Sequence, residues 1–171
     1  MKVRPTILAT TLAAASAVLI TLGSKPTPTL IWNASASVPL GLYRVLPAGR
    51  LQITDLVVAL PPEPLANFLD AGGYLPRGVP LIKRVLALPG QTVCRNARMV
   101  VVDGIVMGDA RERDRRDRPL PTWQGCRAVG DHEVFLMNWD EPDSLDGRYF
   151  GPMESTAIIG RAQPVWTFDE D

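Results

Sequence analysis

The longest uncharged apolar stretch of the chain lies near its start, in residues 6–23 (TILATTLAAASAVLITLG). A stretch of about 18 residues is close to the minimum for a helix that crosses a bilayer core. Lys2 and Arg4 precede it, and positive charge on that flank favours keeping the N-terminus in the cytoplasm and exporting the rest of the chain. The segment reads as a transmembrane anchor in preference to a cleavable signal, because it exceeds the roughly 7–15 residues of a signal h-region. Beyond it the pattern changes. Residues 24–29 are a Pro-containing linker, and 30–35 lead into a turn-rich stretch, 37–45 (SVPLGLYRV). Residues 56–60 (LVVAL) read as a buried strand stopped by Pro61 and Pro62, and 80–88 (PLIKRVLAL) as a strand ended by Pro89-Gly90. Residues 64–75 suit a short helix or a loop. In 99–107, Asp103-Gly104 stands between apolar runs, a strong hairpin signal. Residues 133–138 and 157–167 supply further strands. The expectation is a mainly β fold after one N-terminal helix: residues 1–5 cytoplasmic, 6–23 a transmembrane anchor or signal segment, 24–34 a linker and 35–171 one exported domain.

Composition sharpens this picture. Lys plus Arg and Asp plus Glu both number 18 in 171 residues, so the formal net charge is zero and nothing points to nucleic acid. Sixteen prolines and fourteen glycines suit short strands joined by many turns. Cys94 and Cys126 are an even pair, which in an exported domain forms a disulfide more often than a metal site; two unpaired buried thiols are the alternative. Two thiolates without clustered histidines do not make a zinc centre, and no cofactor is implied. Residues 109–118 (DARERDRRDR) are nearly all charge and read as a solvated, mobile loop with no binding role.

A hydrolase without a metal needs a nucleophile and a base. The single histidine, His132, lies between Asp131 and Glu133 at a predicted turn, where a solvated imidazole is the ordinary reading. Arginine stays protonated and cannot serve, which leaves lysine. On a strand at 80–88, alternation puts Leu81, Lys83, Val85 and Ala87 on one face. Burial among apolar neighbours disfavours an ammonium, so Lys83 would titrate closer to neutrality and accept a proton from a serine. On composition alone, a surface lysine with its head in water remains the simpler account.

Three blocks then bear on that choice. Ser35-Ala36-Ser37-Val38-Pro39 is similar to the serine box of the signal peptidase I superfamily, Lys83-Arg84-Val85-Leu86-Ala87-Leu88-Pro89-Gly90 looks like its lysine box, and Ser144-Leu145-Asp146-Gly147-Arg148-Tyr149-Phe150-Gly151 resembles its Ser-x-Asp-Ser-Arg-Tyr-x-Gly box. They occur in the family's order. The continuation Pro39-Leu40-Gly41-Leu42-Tyr43 and the short Ser37-Val38-Pro39 spacing look most like the conjugal-transfer, TraF-type maturation peptidases. Gly147 departs from the pattern, which more often has serine there.

The resemblance implies a membrane-anchored serine endopeptidase at the bacterial inner membrane, its catalytic domain in the periplasm. Ser37 would be the nucleophile and Lys83 the general base. The Ser37 N–H and Ser35 hydroxyl would hold the oxyanion, Ser144 would orient the lysine, and Asp146 with Arg148 would brace the site. Its substrate would be a membrane-inserted preprotein, specifically the propilin of a conjugative type IV secretion system. Some members of that branch also close the pilin into a ring. The implied partners are that substrate, the lipid bilayer and other conjugation machinery. Competing readings are a general signal peptidase, a non-catalytic subunit of an envelope or pilus assembly, and a self-cleaving repressor, the last disfavoured by the apolar N-terminus.

Overall fold

The computed structural model describes residues 4–23 and 28–168, without the side chains of residues 17–23. Most of the expected cytoplasmic N-terminus and the start of the linker lie outside the described residues. Helix α1 runs Pro5–Gly23, over the apolar segment read as an anchor. The hydroxyls of Thr10 and Thr11 bond back to the carbonyls of Thr6 and Ile7, at 3.0 and 2.8 Å, hiding polar groups in an apolar helix. Among the described residues, no helix is long and apolar enough to cross a membrane.

The remainder is mainly β, as expected. Its elements are β1 (Leu30–Asn33), β2 (Gly41–Leu46), β3 (Leu56–Ala59), α2 (Glu63–Ala71), β4 (Leu81–Ala87), β5 (Thr92–Asn96), β6 (Met99–Val102), β7 (Ile105–Asp109), β8 (Gly125–Ala128), β9 (Glu133–Leu136), α3 (Gly147–Phe150), β10 (Met153–Glu154) and β11 (Ile158–Thr167). They form a seven-stranded sheet ordered β1-β2-β11-β3-β4-β9-β10 and a four-stranded sheet ordered β7-β6-β5-β8. The pairings are antiparallel.

Several elements depart from the sequence expectation. Residues 30–33, inside the expected linker, are β1, and the turn-rich stretch contains β2; the two pair from Leu30–Arg44 to Asn33–Gly41. Pro39 and Gly41 mask the strand signal at the start of β2, yet its buried Gly41 and Tyr43 alternate with more exposed positions. The predicted hairpin is present as β6 and β7, with Asp103 and Gly104 both at positive φ, 47° and 83°.

Apolar packing sets the position of β4. Val38, Tyr43, Val58, Ile82 and Ala162 form one cluster, and Val57, Ala59, Val85, Val134 and Leu136 another. These clusters use alternate residues of β3 and β4, so the centre of the large sheet is covered on both faces. A third cluster, including Val93, Val100, Phe135 and Met137, joins the small sheet to the large one. Cys94 and Cys126 stand opposite each other on β5 and β8 and are joined by a disulfide.

Candidate active site

The serine box occupies the connection between β1 and β2, and an unusual number of its carbonyls are tied down from behind. Asn33, the last residue of β1, donates its amide to the carbonyls of Ser35, Val38 and Pro39 at 2.8, 2.9 and 3.1 Å. Its Oδ1 accepts from the Ser35 N–H and the Ser35 hydroxyl, at 3.2 and 3.0 Å. The Tyr43 hydroxyl donates to the Pro39 carbonyl at 2.7 Å. Ser35 Oγ and Ser37 Oγ lie 3.1 Å apart, so the two hydroxyls are within hydrogen-bonding reach at the surface of this turn.

Lys83 lies mid-way along β4, opposite Val57 of β3. It is only 4% exposed. Burial pushes its pKa down from 10.5 to about 8; the Arg148 charge adds to this, while Asp146 and Glu141 oppose it. Its Nζ donates to Ser144 Oγ at 2.7 Å. The ammonium's hydrogen-bond contact is therefore with Ser144, while Ser37 and Lys83 border the same cavity of about 680 Å³. A second cavity of about 290 Å³ adjoins it, and Ala36, Ser37 and Glu141 border both.

The third box folds around a buried ion pair. Asp146 caps α3, accepting from the Arg148 N–H at 3.1 Å. The Arg148 guanidinium returns two bonds of 2.9 Å to the same carboxylate and continues to the carbonyls of Asn138, Glu141 and Ser144. Asp146 is 3% and Arg148 2% exposed, and such a pair tolerates burial because its charges meet each other and Arg148 Nε and Nη2 find acceptors. Glycine at 147 has a packing reason: a Cβ there would lie 2.6 Å from the Phe135 ring and 2.7 Å from the Leu136 carbonyl oxygen. The helix rests directly on β9, leaving no room for the serine found more often in the resembling box.

Asn138 was not singled out from sequence, yet it joins all three boxes. Its amide donates to the Ser37 carbonyl at 2.7 Å and to the Ile82 carbonyl at 3.3 Å, and its Oδ1 accepts from the Arg84 N–H at 2.9 Å. Its own N–H donates to Asp146 at 3.0 Å. Arg95, also missed, is buried on β5 without a carboxylate partner among the described residues; it donates to the Arg148 carbonyl at 2.6 Å and ties the small sheet to the third box. A charged residue at an inward strand position was the available signal.

The charged stretch 109–118 is largely exposed, as expected of a solvated loop, but it is also anchored by side-chain contacts. Asp114 accepts from the Tyr74 hydroxyl at 2.6 Å and pairs with Arg118 at 2.6 Å. Arg118 also stacks on the Tyr74 ring and donates to the Gly72 carbonyl. Arg111, 2.8 Å from Asp143, and Arg115 share that carboxylate. Beyond that exposure, aromatic and carboxylate partners distant in sequence hold it against the larger cavity, which it lines. His132 lies in an exposed turn and does not border either cavity.

The profile of the family described as signal peptidase, peptidase S26, matches residues 3–167. A conjugal transfer protein TraF from Agrobacterium fabrum is 38% identical over 148 residues, covering 80% of this chain and 82% of that protein. A plasmid transfer protein TraF from Escherichia coli is 34% identical over 147 residues, again covering 80% of this chain and 82% of that protein. Among solved structures, a signal peptidase I from Enterococcus faecalis V583 matches 67% of this chain and 97% of its own with a TM-score of 0.40 at 18% identity. With the profile covering nearly the whole chain and these relatives most of it, the chain belongs to the signal peptidase family, peptidase S26, a family of serine peptidases.

Proposed function

We propose that this protein is a membrane-anchored serine endopeptidase in which Ser37 attacks and Lys83 serves as general base, acting on the propilin of a conjugative type IV secretion system at the periplasmic face of the inner membrane. The observation that carries the reading is the buried Lys83, held by Ser144 and bordering the cavity that Ser37 also borders. With a pKa of about 8, a useful fraction of Lys83 is neutral near physiological pH. It would take the Ser37 proton as Oγ attacks the scissile carbonyl, then deliver that proton to the leaving amine. The Ser37 N–H and the Ser35 hydroxyl would hold the oxyanion. Water attacking the resulting ester would release a linear product. The pilin's own amine attacking instead would close a ring with no further catalytic group.

Two features support the membrane position. Residues 6–23 are uncharged and preceded by Lys2 and Arg4. Trp32, Trp166 and Phe168 form an exposed aromatic group with centroids 4.5–6.3 Å apart, and Trp32 also borders the larger cavity. Amphipathic rings of this kind suit the lipid interface, and would bring the cavity to the surface where an inserted precursor emerges. The conjugative assignment is supported by the TraF relatives from two organisms.

The test is cleavage of a membrane-inserted propilin co-expressed with wild-type, Ser37→Ala or Lys83→Ala protein, with product masses read by intact mass spectrometry. Both variants should accumulate precursor at normal expression, and a product one water lighter than the linear pilin would mark ring closure. Unchanged processing in either variant would sink the mechanism.

A further inference from the structure

The loop of residues 109–118 holds five arginines and four acidic residues, nearly balanced by sequence. Folding separates them. Arg111, Arg115, Arg116 and Arg118 border the larger cavity, and of the loop's acids only Asp114 does so; Arg113 and Asp117 pair with each other outside it, at 3.7 Å. Asp143 and Glu141 add two carboxylates from the neighbouring segment, so four guanidiniums meet three carboxylates before Lys83 is counted.

The pairing is uneven as well. Arg118 is committed to Asp114, Tyr74 and Gly72. Arg111 and Arg115 divide the single carboxylate of Asp143. Arg116 has no acidic partner among the described residues, although its N–H, donating to Asp114 Oδ1 at 2.8 Å, fixes its backbone. The same cavity has apolar walls that include Leu69, Leu75, Val79 and Leu145. Apolar walls strengthen the local field of the positive charge left in excess.

We propose that this arginine wall is a specificity site for an acidic side chain of the substrate peptide, with Arg116 as the residue that selects it. The proposal rests on the peptidase reading above. A carboxylate entering the cavity gains charge-assisted hydrogen bonds from a guanidinium that has no partner to release. A neutral amide of the same shape gains less, and an ammonium is repelled.

The experiment uses the full-length protein in neutral detergent and a set of precursor peptides carrying Glu, Gln or Lys in turn at each position flanking the cut. The readout is the ratio of kcat/KM between the Glu and Gln members at each position. At one position the wild type should favour Glu by about tenfold, less so as salt is raised. Arg116→Glu should reverse the order there in favour of Lys. A folding defect would lower both members of a pair alike and leave their ratio intact. Cleavage of every peptide with ratios near one would overturn the specificity site while leaving the peptidase reading standing. No cleavage of any peptide would overturn both. Charge-blind ratios together with an Arg116-dependent gain in activity on adding anionic lipid would overturn the peptide site and assign the wall to a lipid headgroup.

Discussion

Asn138 donates an amide hydrogen to the carbonyl of Ser37 at 2.7 Å, across 101 residues of sequence. The same side chain bonds Ile82 and Arg84, the two neighbours of Lys83 on β4. One asparagine thereby fixes the turn that carries Ser37 relative to the strand that carries Lys83. Asn138→Ala would leave three backbone groups without this partner, of which the Ile82 carbonyl is the buried one, costing about 1–3 kcal/mol, and the part-buried Ser37 carbonyl and Arg84 N–H less. The expected outcome is a lower Tm together with a fall in kcat larger than any rise in KM. Equal kcat for mutant and wild type would show that the bridge positions nothing.

Lys83 has a folded pKa of about 8, below its ordinary 10.5. Between those values the unfolded chain binds more protons than the folded one, so this group's contribution to stability rises with pH across the window and is flat below it. The change amounts to about 3 kcal/mol. Lys83→Met lacks that titration and should be the more stable protein at pH 7 while failing to cleave. Denaturation of both proteins at pH 7, 9 and 10 should show the gap closing as pH rises. Parallel curves would contradict a buried, destabilising ammonium.

The charges around Lys83 make a separate prediction for the pH dependence of catalysis. Activity should rise with pH through an acid limb near 8, as Lys83 loses its proton. Asp146 raises the Lys83 pKa and Arg148 lowers it. Asp146→Asn should therefore move the limb to lower pH, and Arg148→Met to higher pH. The profiles of kcat/KM test this, and limbs that stay in place would mean another group controls the rate.

Gly147 should resist replacement. Serine, the residue more usual in the resembling box, would press its Cβ onto the Leu136 carbonyl and the Phe135 ring. Overpacking of this kind costs about 1–3 kcal/mol, so Gly147→Ser should lower Tm by several degrees. An unchanged Tm would show that α3 can lift from β9 freely.

The Cys94–Cys126 bridge can be tested with the double serine variant. The residues of β8 are all exposed, so this strand gains little from burial and depends on its ladder and the disulfide. Removing a link that spans 32 residues should cost about 3–4 kcal/mol by the loop-entropy account. The measurement is Tm of the variant against the oxidised wild type.

How far the sequence could be read depended on how local the information was. Ser37, Lys83, Ser144, Asp146 and Arg148 were recognisable because each stands in a short block of recurring pattern, and the structure gathers those blocks around adjoining cavities. Asn138 carries no such mark; it closes the strand expected at 133–138, and its partners lie 56 and 101 residues away. Asn33 was more accessible, since an asparagine ahead of a Ser-Ala-Ser turn is suited to bonding its own backbone. The arginine wall was hidden for the opposite reason. Charge density in residues 109–118 suggested solvation, and only Tyr74 and Asp143, remote in sequence, turn that stretch into a wall.

Ser37 stands at the boundary of two cavities, of about 680 and 290 Å³. If Ser37 is the nucleophile proposed above, its position makes it a partition. On the proposed route, a chain esterified to it can remain in the larger compartment while the smaller stays open to whatever arrives next. Water and a pilin amine would then compete for one vestibule. The choice between a linear and a circular product becomes a matter of which reaches that vestibule first, set by tethering and residence time and not by the chemistry of the enzyme.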